Sequence, residues 1–156
     1  MLDPTDVRLL AELQRDATLT SSELGDRLAL SLSQAARRRQ RLEAEGYIRG
    51  YSARLDPGRL GLGVQAFVHV HMAAHSPESA RGFASLLGTL PEVTGAWTLT
   101  GEADYLLRVW CPDLKSLARL IQQALLPHPS VSKVHSQIVL DELRPDSGLP
   151  VSPGAG

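Results

Sequence analysis

A run of basic side chains is the feature of this sequence with the clearest chemistry. Four of five consecutive positions are arginine, namely Arg37, Arg38, Arg39 and Arg41. A guanidinium group donates paired hydrogen bonds to a phosphate, or to O6 and N7 of guanine in the major groove of DNA. Charge runs are usually solvated helix faces, so the interpretation depends on the element that carries this one.

Three short helices are predicted before Gly46, and the arginines lie on the third. Asp3 is typical of a cap at the start of the first helix. Thr20 and Glu23 have the spacing of a capping box at the start of the second. The third spans about residues 34–45 and follows a short turn, so the last two helices have the arrangement of a DNA-binding helix-turn-helix.

The start of the third helix adds short polar side chains to the arginine run. In a helix-turn-helix this is the recognition helix, whose first residues contact base edges in the major groove. Serine hydroxyls and glutamine amides suit both phosphates and base edges. The residues predicted to contact double-stranded DNA are Ser31, Ser33, Gln34, Arg37, Arg38 and Arg41.

A turn in the second half of the chain is the other candidate site. Its residues are Thr100, Gly101, Glu102 and Asp104. Acidic and backbone groups that converge at a turn match the ammonium and carboxylate of an amino acid. From the chemistry alone, a plain hairpin with Gly101 at positive φ is the better supported alternative.

Other kinds of site have weak signals. His69 and His71 lie two apart on a predicted strand, but no acid or cysteine clusters with them, so we expect no metal site. Cys111 is the single cysteine and has no marked base beside it. No glycine motif that would hold a nucleotide follows a strand. We therefore expect no cofactor and no enzyme activity.

The second half alternates between strand and helix patterns in the order βαββαβ. The predicted strands are 64–73, 93–100, 103–111 and 131–140, and the predicted helices are 77–90 and 114–126. This order indicates a ferredoxin-like sheet with helices on one face only. We expect Phe67, Leu107 and Val109 on the uncovered face, where a second subunit would cover them.

The predicted fold class is α+β, with a winged-helix-like first domain. We expect a helix-turn-helix domain over residues 1–50, a linker strand and hinge over 51–63, and the ferredoxin-like domain over 64–143. Proline, glycine and serine dominate residues 144–156, which we expect to be a disordered tail.

Composition and charge exclude several classes of protein. The length of 156 residues allows one domain or two small ones. Sixteen basic and seventeen acidic residues nearly cancel, so whole-chain charge predicts no partner. The start of the chain has no signal-peptide pattern, and no segment is long and apolar enough to span a membrane. With a lone cysteine, these features predict a cytoplasmic protein and no membrane partner.

Short motifs recur along almost the whole chain in a specific order. They are Leu2-Asp3 with Asp6, Leu30-Ser31, Arg38, Arg41-Leu42-Glu43, Gly46-Tyr47-Ile48, Gly50-Tyr51, Leu55-Asp56-Pro57, Gly61, Thr100-Gly101 and Asp104-Tyr105. By these motifs the chain resembles the Lrp/AsnC, or feast/famine, family of transcription regulators. The resemblance implies a C-terminal ligand-binding domain called RAM, dimers that assemble to tetramers or octamers, and an amino acid effector near Gly101 and Asp104.

Two positions depart from the family pattern. Arg39 replaces a branched apolar residue, and Ala35 replaces a valine. We expect either a looser recognition helix or an Arg39 side chain that extends to phosphate. The function predicted from all these features is a DNA-binding regulator that responds to an amino acid. The alternative is a small-molecule sensor or metabolic enzyme whose N-terminal helices are an oligomerisation arm.

Overall fold

A computed structural model describes residues 2–151 of the chain. The chain divides into two compact units, one formed by the residues up to Arg54 together with those from Leu143, and the other by Leu55–Glu142. The predicted domain bounds at residues 50 and 63 differ from this division and remain predictions.

The first unit contains three helices, as the sequence predicts. They are α1 (Pro4–Arg15), α2 (Ser21–Leu28) and α3 (Leu32–Ala44). Asp3, Thr20 and Ser31 each begin a helix with a complete capping box. The third helix therefore starts two residues earlier than predicted, because Ser31 and not Ser33 is its cap. A left-handed Ala29 (φ 55°) and a bond from the Leu30 N–H to the Gly25 carbonyl close the turn between α2 and α3.

An aliphatic core holds the three helices together. Its buried members are Leu9, Leu13, Leu19, Leu24, Leu28, Ala35 and Leu42. Helix α3 buries only Ala35 and Leu42 of its thirteen residues. Most of the surface of α3 is therefore available to polar contacts or to a partner.

The linker strand predicted after Gly46 is not formed within the described residues. Residues 47–63 contain turns and irregular backbone, with a turn at Pro57 closed by the Leu62 N–H. A strand needs a neighbour to accept its N–H groups, and the described chain places none beside this segment.

The second unit is a four-stranded antiparallel sheet with helices on one face. Its elements are β1 (Val64–Met72), α4 (Pro77–Gly88), β2 (Val93–Thr98), β3 (Tyr105–Cys111), α5 (Leu114–Leu120), a π-helical turn (Ile121–Leu125) and β4 (Val131–Ile138). The strand order is β2-β3-β1-β4. This is the predicted ferredoxin-like arrangement, and α5 with its π-helical turn fills the range predicted as one helix.

The two faces of the sheet differ from the prediction at β3. Leu107 and Val109 are fully buried beneath the helices, with Phe83 of α4 in the same core. The open face instead carries Leu106 and Trp110 beside Phe67, because neighbouring residues of a strand point to opposite faces. Placing Leu107 and Val109 on the open face was therefore wrong by one residue of register.

The last described residues belong to the first unit and contact α1. Residues 144–151 have no regular secondary structure, but the side-chain amide of Gln14 bonds both backbone groups of Leu149. Disorder was predicted for 144–156; residues 144–151 have this defined contact, and 152–156 lie outside the described residues.

Candidate nucleic-acid interface and ligand site

The first turns of α3 present an exposed polar surface. Ser33, Gln34 and Arg37 are exposed, and the Ser33 hydroxyl lies 3.1 Å from that of Ser31. Ser31 and Gln34 also hold each other in the capping box, with the Gln34 N–H donating to Ser31 Oγ at 3.2 Å. The helix end is thereby fixed while its outer surface stays open, which suits contact with phosphates or base edges.

Arg38 has internal partners and does not belong to that open surface. Its Nη1 atom donates to Asp3 Oδ2 at 2.5 Å and to Asp6 Oδ1 at 2.7 Å. The side chain of Arg38 is 28% exposed and that of Asp6 only 1% exposed. Arg38 therefore joins α3 to the start of α1.

Arg41 binds the other oxygen of the same carboxylate. Its Nη2 atom lies 2.5 Å from Asp6 Oδ2, and its Nε lies 3.9 Å from Glu45. The Arg41 side chain is nevertheless 43% exposed. Arg41 can therefore face solvent along part of its length while it helps to hold α3 on α1.

The buried Asp6 carboxylate stays ionised because its partners outweigh its burial. Burial by itself raises the pKa of Asp6, but the Asp3 backbone N–H and the guanidinium groups of Arg38 and Arg41 together lower it below the ordinary value. The pKa of Asp3 is lowered too, chiefly by Arg38. The cluster is a network of complementary charges within the first unit.

Arg39 packs within its own unit and meets neither expectation from the sequence. Its guanidinium donates to the Leu19 carbonyl at 2.9 Å, and to Glu43 and the Tyr51 hydroxyl at 3.1 Å each. The guanidinium also lies 4.8 Å from the centre of the Tyr51 ring. The helix is thus held at position 39 by polar and cation–π contacts in place of an apolar side chain.

The four arginines therefore differ in their contacts. Within residues 2–151, no ion pair is formed by Arg37, whereas Arg38, Arg39 and Arg41 all pair with carboxylates. Helical spacing predicts that the four side chains point in different directions. It does not predict the partners of Arg38, because Asp3 and Asp6 lie on another segment of the chain.

The turn between β2 and β3 has the predicted glycine geometry. Gly101 has φ 110°. A Cβ added at this position would meet no neighbouring atom, but the backbone would be strained at this φ. The Leu99 N–H donates to the Asp104 carbonyl at 2.9 Å, and the Asp104 N–H donates to the Val70 carbonyl at 3.0 Å. The turn is therefore anchored on the end of β1.

The Asp104 carboxylate is used by the protein itself. It accepts from the Met72 backbone N–H at 2.7 Å and lies 2.8 Å from Nε2 of His75. These contacts, first the Met72 N–H and then His75, lower the pKa of Asp104. Through these contacts the Asp104 carboxylate supports the turn from within the protein.

A separate cavity of about 460 Å³ lies beside the turn on the open face of the sheet. Thr100 and Glu102 line it, whereas Gly101 and Asp104 do not. The remaining polar lining comes from the strands and includes His69, His71, Lys133, His135 and Gln137. The four residues predicted as one site thus divide between a cavity wall and a structural anchor.

The contribution of β4 to this cavity was missed. Lys133, His135 and Gln137 alternate along β4, opposite His71, His69 and Phe67 of β1. A period of two in polar side chains was visible in the sequence, but the pairing of β4 with β1 was not.

Two further properties concern only residues 2–151. No group of three or more metal-ligating side chains is close enough to hold a metal ion. No helix there is both long and apolar enough to cross a bilayer.

Comparison with known proteins agrees with this architecture. Residues 2–49 match the family described as winged helix-turn-helix DNA-binding, and residues 65–149 match the Lrp/AsnC ligand binding domain. The chain is 36% identical to the DNA-binding transcriptional activator DecR of Escherichia coli K12, over 97% of this chain and 99% of that protein. It is 32% identical to the leucine-responsive regulatory protein of Klebsiella pneumoniae, over 95% and 90% of the two chains.

Solved structures give the same result. A transcriptional regulator of Neisseria meningitidis, solved as its complex with L-methionine, is 37% identical, with a TM-score of 0.92 over 96% of this chain and 97% of that one. An AsnC family transcriptional regulator of Agrobacterium tumefaciens is 31% identical, with a TM-score of 0.89 over 96% and 97% of the chains. With its DNA-binding and ligand-binding domains in this order, the chain belongs to the Lrp/AsnC family of transcriptional regulators.

Proposed function

We propose that this regulator reads DNA through the exposed first half of α3 and that an amino acid modulates its binding. The observation that carries the proposal is that some side chains of α3 bind the rest of the first unit while others are exposed. Arg38 and Arg41 fix the helix on Asp6, while Ser33, Gln34 and Arg37 remain exposed on its first turns.

A fixed helix with an open surface is what base recognition requires. Hydrogen bonds to base edges discriminate only if the helix holds its position in the major groove. The buried Asp6 pairs supply that rigidity, and Arg37 supplies a guanidinium with no ion pair among the described residues. Arg41, partly exposed, adds positive charge where a phosphate can approach. Ser31 contributes chiefly through its cap on the helix.

DNA binding is tested on a duplex from the promoter region of the protein's own gene, with a scrambled duplex of equal length as control. We expect tighter binding to the promoter duplex, and affinity for both that falls steeply with salt as counterions are released. Absence of binding at low salt would instead support the alternative of an N-terminal oligomerisation arm.

The effector proposal rests on the ligand-binding domain and on the cavity beside the turn. The relative from Neisseria was solved with L-methionine, and the present cavity offers complementary charges for an amino acid. Glu102 is an exposed acceptor for an ammonium group, and Lys133 is a donor for a carboxylate. Thr100 and the turn at Gly101 complete the proposed site, and Asp104 holds this turn on β1.

Calorimetric titration of the full chain with each of the twenty amino acids tests this assignment. We expect one or a few to bind, and Glu102→Gln to weaken that binding on the order of tenfold or more, since a charged acceptor is lost. Exposed Glu142 gives the control variant Glu142→Gln, which should bind like the parent. Equal binding by Glu102→Gln would place the effector elsewhere.

Assembly into dimers, and from dimers into tetramers or octamers, is also proposed. Phe67, Leu106 and Trp110 lie half-buried on the open face of the sheet, where a second copy would cover them and close the cavity. A cytoplasmic location is consistent with a DNA-binding regulator and remains a prediction.

A further inference from the structure

The C-terminal segment, residues 143–151, makes a contact with α1 that is specific in its geometry. Gln14 Nε2 donates to the Leu149 carbonyl at 2.6 Å, and the Leu149 N–H donates to Gln14 Oε1 at 3.0 Å. One side-chain amide thus satisfies both backbone groups of one residue, as a neighbouring strand would. The Leu149 side chain is 77% exposed, so the contact depends on the backbone.

Gly148 allows this close approach. It has φ 86°, and an added Cβ would lie 2.5 Å from Cδ of Gln14. Asp146 accepts from the Gly148 N–H at 3.1 Å and so shapes the turn that precedes the contact. Any larger residue at position 148 would both strain the backbone and collide with Gln14.

Leu149, Pro150 and Val151 form part of the wall of a groove of about 550 Å³ in the first unit. Apolar side chains of α1, among them Val7 and Leu10, form one side of it, and residues 47–54 form the other. The lining known from residues 2–151 includes no residue of α3, so a docked C-terminal segment leaves the DNA-facing surface open.

The C-terminal segment follows the second of two connections between the units. The chain passes from the first unit to the second after Arg54 and returns to the first after Glu142, so the two units are connected twice. The second connection continues from β4, whose Lys133, His135 and Gln137 line the cavity beside the turn. The groove that the segment helps to line is also lined by residues of the 47–54 segment, which leads into the first connection.

We infer that the C-terminal segment is a reversible strap, which docks beside Gln14 and transmits the state of the ligand-binding domain to the DNA-binding domain. Docked, it lines the same groove as residues 47–54 and restricts the first connection. Released, it leaves the DNA-binding domain free to reorient. The inference deepens the proposed function and rests on it for the effect on DNA binding, but not for the docking itself.

Limited digestion of the full chain with trypsin tests the docking. Arg49 and Arg54 are exposed cleavage sites that line the groove. We expect Gly148→Val and Gln14→Ala each to speed cleavage after these arginines, on the order of fivefold, because each removes the paired hydrogen bonds. The double variant should match either single one, because both break the same contact. Ser147→Ala, next to Gly148, removes only an exposed hydrogen bond from Arg144 and leaves the contact with Gln14 intact. It is the matched control and should cleave like the parent.

Titration of the own-promoter duplex tests the consequence for DNA. We expect the two strap variants to bind several-fold more weakly than Ser147→Ala, because a freer domain loses more orientational freedom on binding. Unchanged cleavage in both variants, or additive rates in the double variant, would overturn the docking. Faster cleavage with equal DNA affinity would overturn the transmission. If the parent itself bound no DNA, the proposed function would fail, while the digestion would still decide the docking.

Discussion

The Nη1 atom of Arg38 lies 2.7 Å from Oδ1 of Asp6, which is buried at the start of α1. Because of this ion pair, Arg38 holds the recognition helix on α1, although it belongs to a run of basic residues. The support and the DNA-facing surface thereby occupy neighbouring residues of one helix. Neighbouring substitutions should consequently have different effects, which can be measured separately.

Replacement of Arg38 should destabilise the first unit. In Arg38→Ala the buried Asp6 keeps only Arg41 as a charged partner, which we expect to cost about 2 kcal/mol of unfolding free energy. Thermal unfolding followed by circular dichroism measures the loss. Arg37→Ala removes the same charge one residue earlier and should unfold like the parent. An unchanged transition in Arg38→Ala would show that the ion pair does not hold α3.

Acid should weaken the first unit through the same carboxylate. The folded pKa of Asp6 lies below its ordinary value of 3.8, so its contribution to stability is present above that pH and is lost as pH falls through the folded pKa. The stability difference between the parent and Asp6→Asn should therefore shrink as pH falls below about 4. Urea unfolding at a series of pH values measures it, and a difference independent of pH would contradict the assignment.

Local patterns made most of the fold predictable. Asp3 and Thr20 begin helices as predicted, since a capping box involves residues only three apart. The order of strands and helices in the sequence was enough to predict the ferredoxin-like sheet. Leu107 was assigned to the wrong face of the sheet. Alternation along a strand divides its residues between two faces, but it does not show which face the helices cover. The strand predicted after Gly46 is not formed in the described chain, because a strand needs a neighbour and local alternation does not show whether one is present.

Replacement of Asp104 should disturb the sheet and not only a ligand site. Asp104→Ala leaves the Met72 N–H without its acceptor, which we expect to cost about 1–2 kcal/mol. Both tryptophans, Trp97 and Trp110, lie in the second unit, so their fluorescence reports its unfolding. Glu102→Gln, two residues away, is the control and should unfold like the parent. Equal transitions in Asp104→Ala and the parent would contradict the supporting role of Asp104 and favour a direct contact with the ligand.

The open sheet face should determine the oligomeric state. Phe67→Glu places a charge among half-buried apolar side chains, so a subunit that docks there should dissociate. Light scattering of the full chain should show a smaller particle for this variant. Leu140→Glu, at a side chain 97% exposed, is the matched control and should assemble like the parent. An unchanged mass for Phe67→Glu would place the subunit interface elsewhere.

The candidate sites were only partly predictable, because their residues meet through long-range contacts. The arginine run was visible in the sequence, but Asp6 lies more than thirty residues before Arg38 and nothing local pairs them. Thr100 and Glu102 were found from a local turn. Lys133 and His135 were not, because they reach the same cavity only through the register of β4 on β1.

DNA affinity of Arg37→Ala, measured by fluorescence anisotropy on the own-promoter duplex, tests the central claim most directly. Arg8→Ala removes an equally exposed arginine from α1 and is the matched control. We predict that Arg37→Ala loses about 1–3 kcal/mol of binding free energy if it contacts a base, or lowers the salt slope by about one if it contacts a phosphate, with its fold intact. Affinity and salt slope equal to those of Arg8→Ala would contradict recognition through α3.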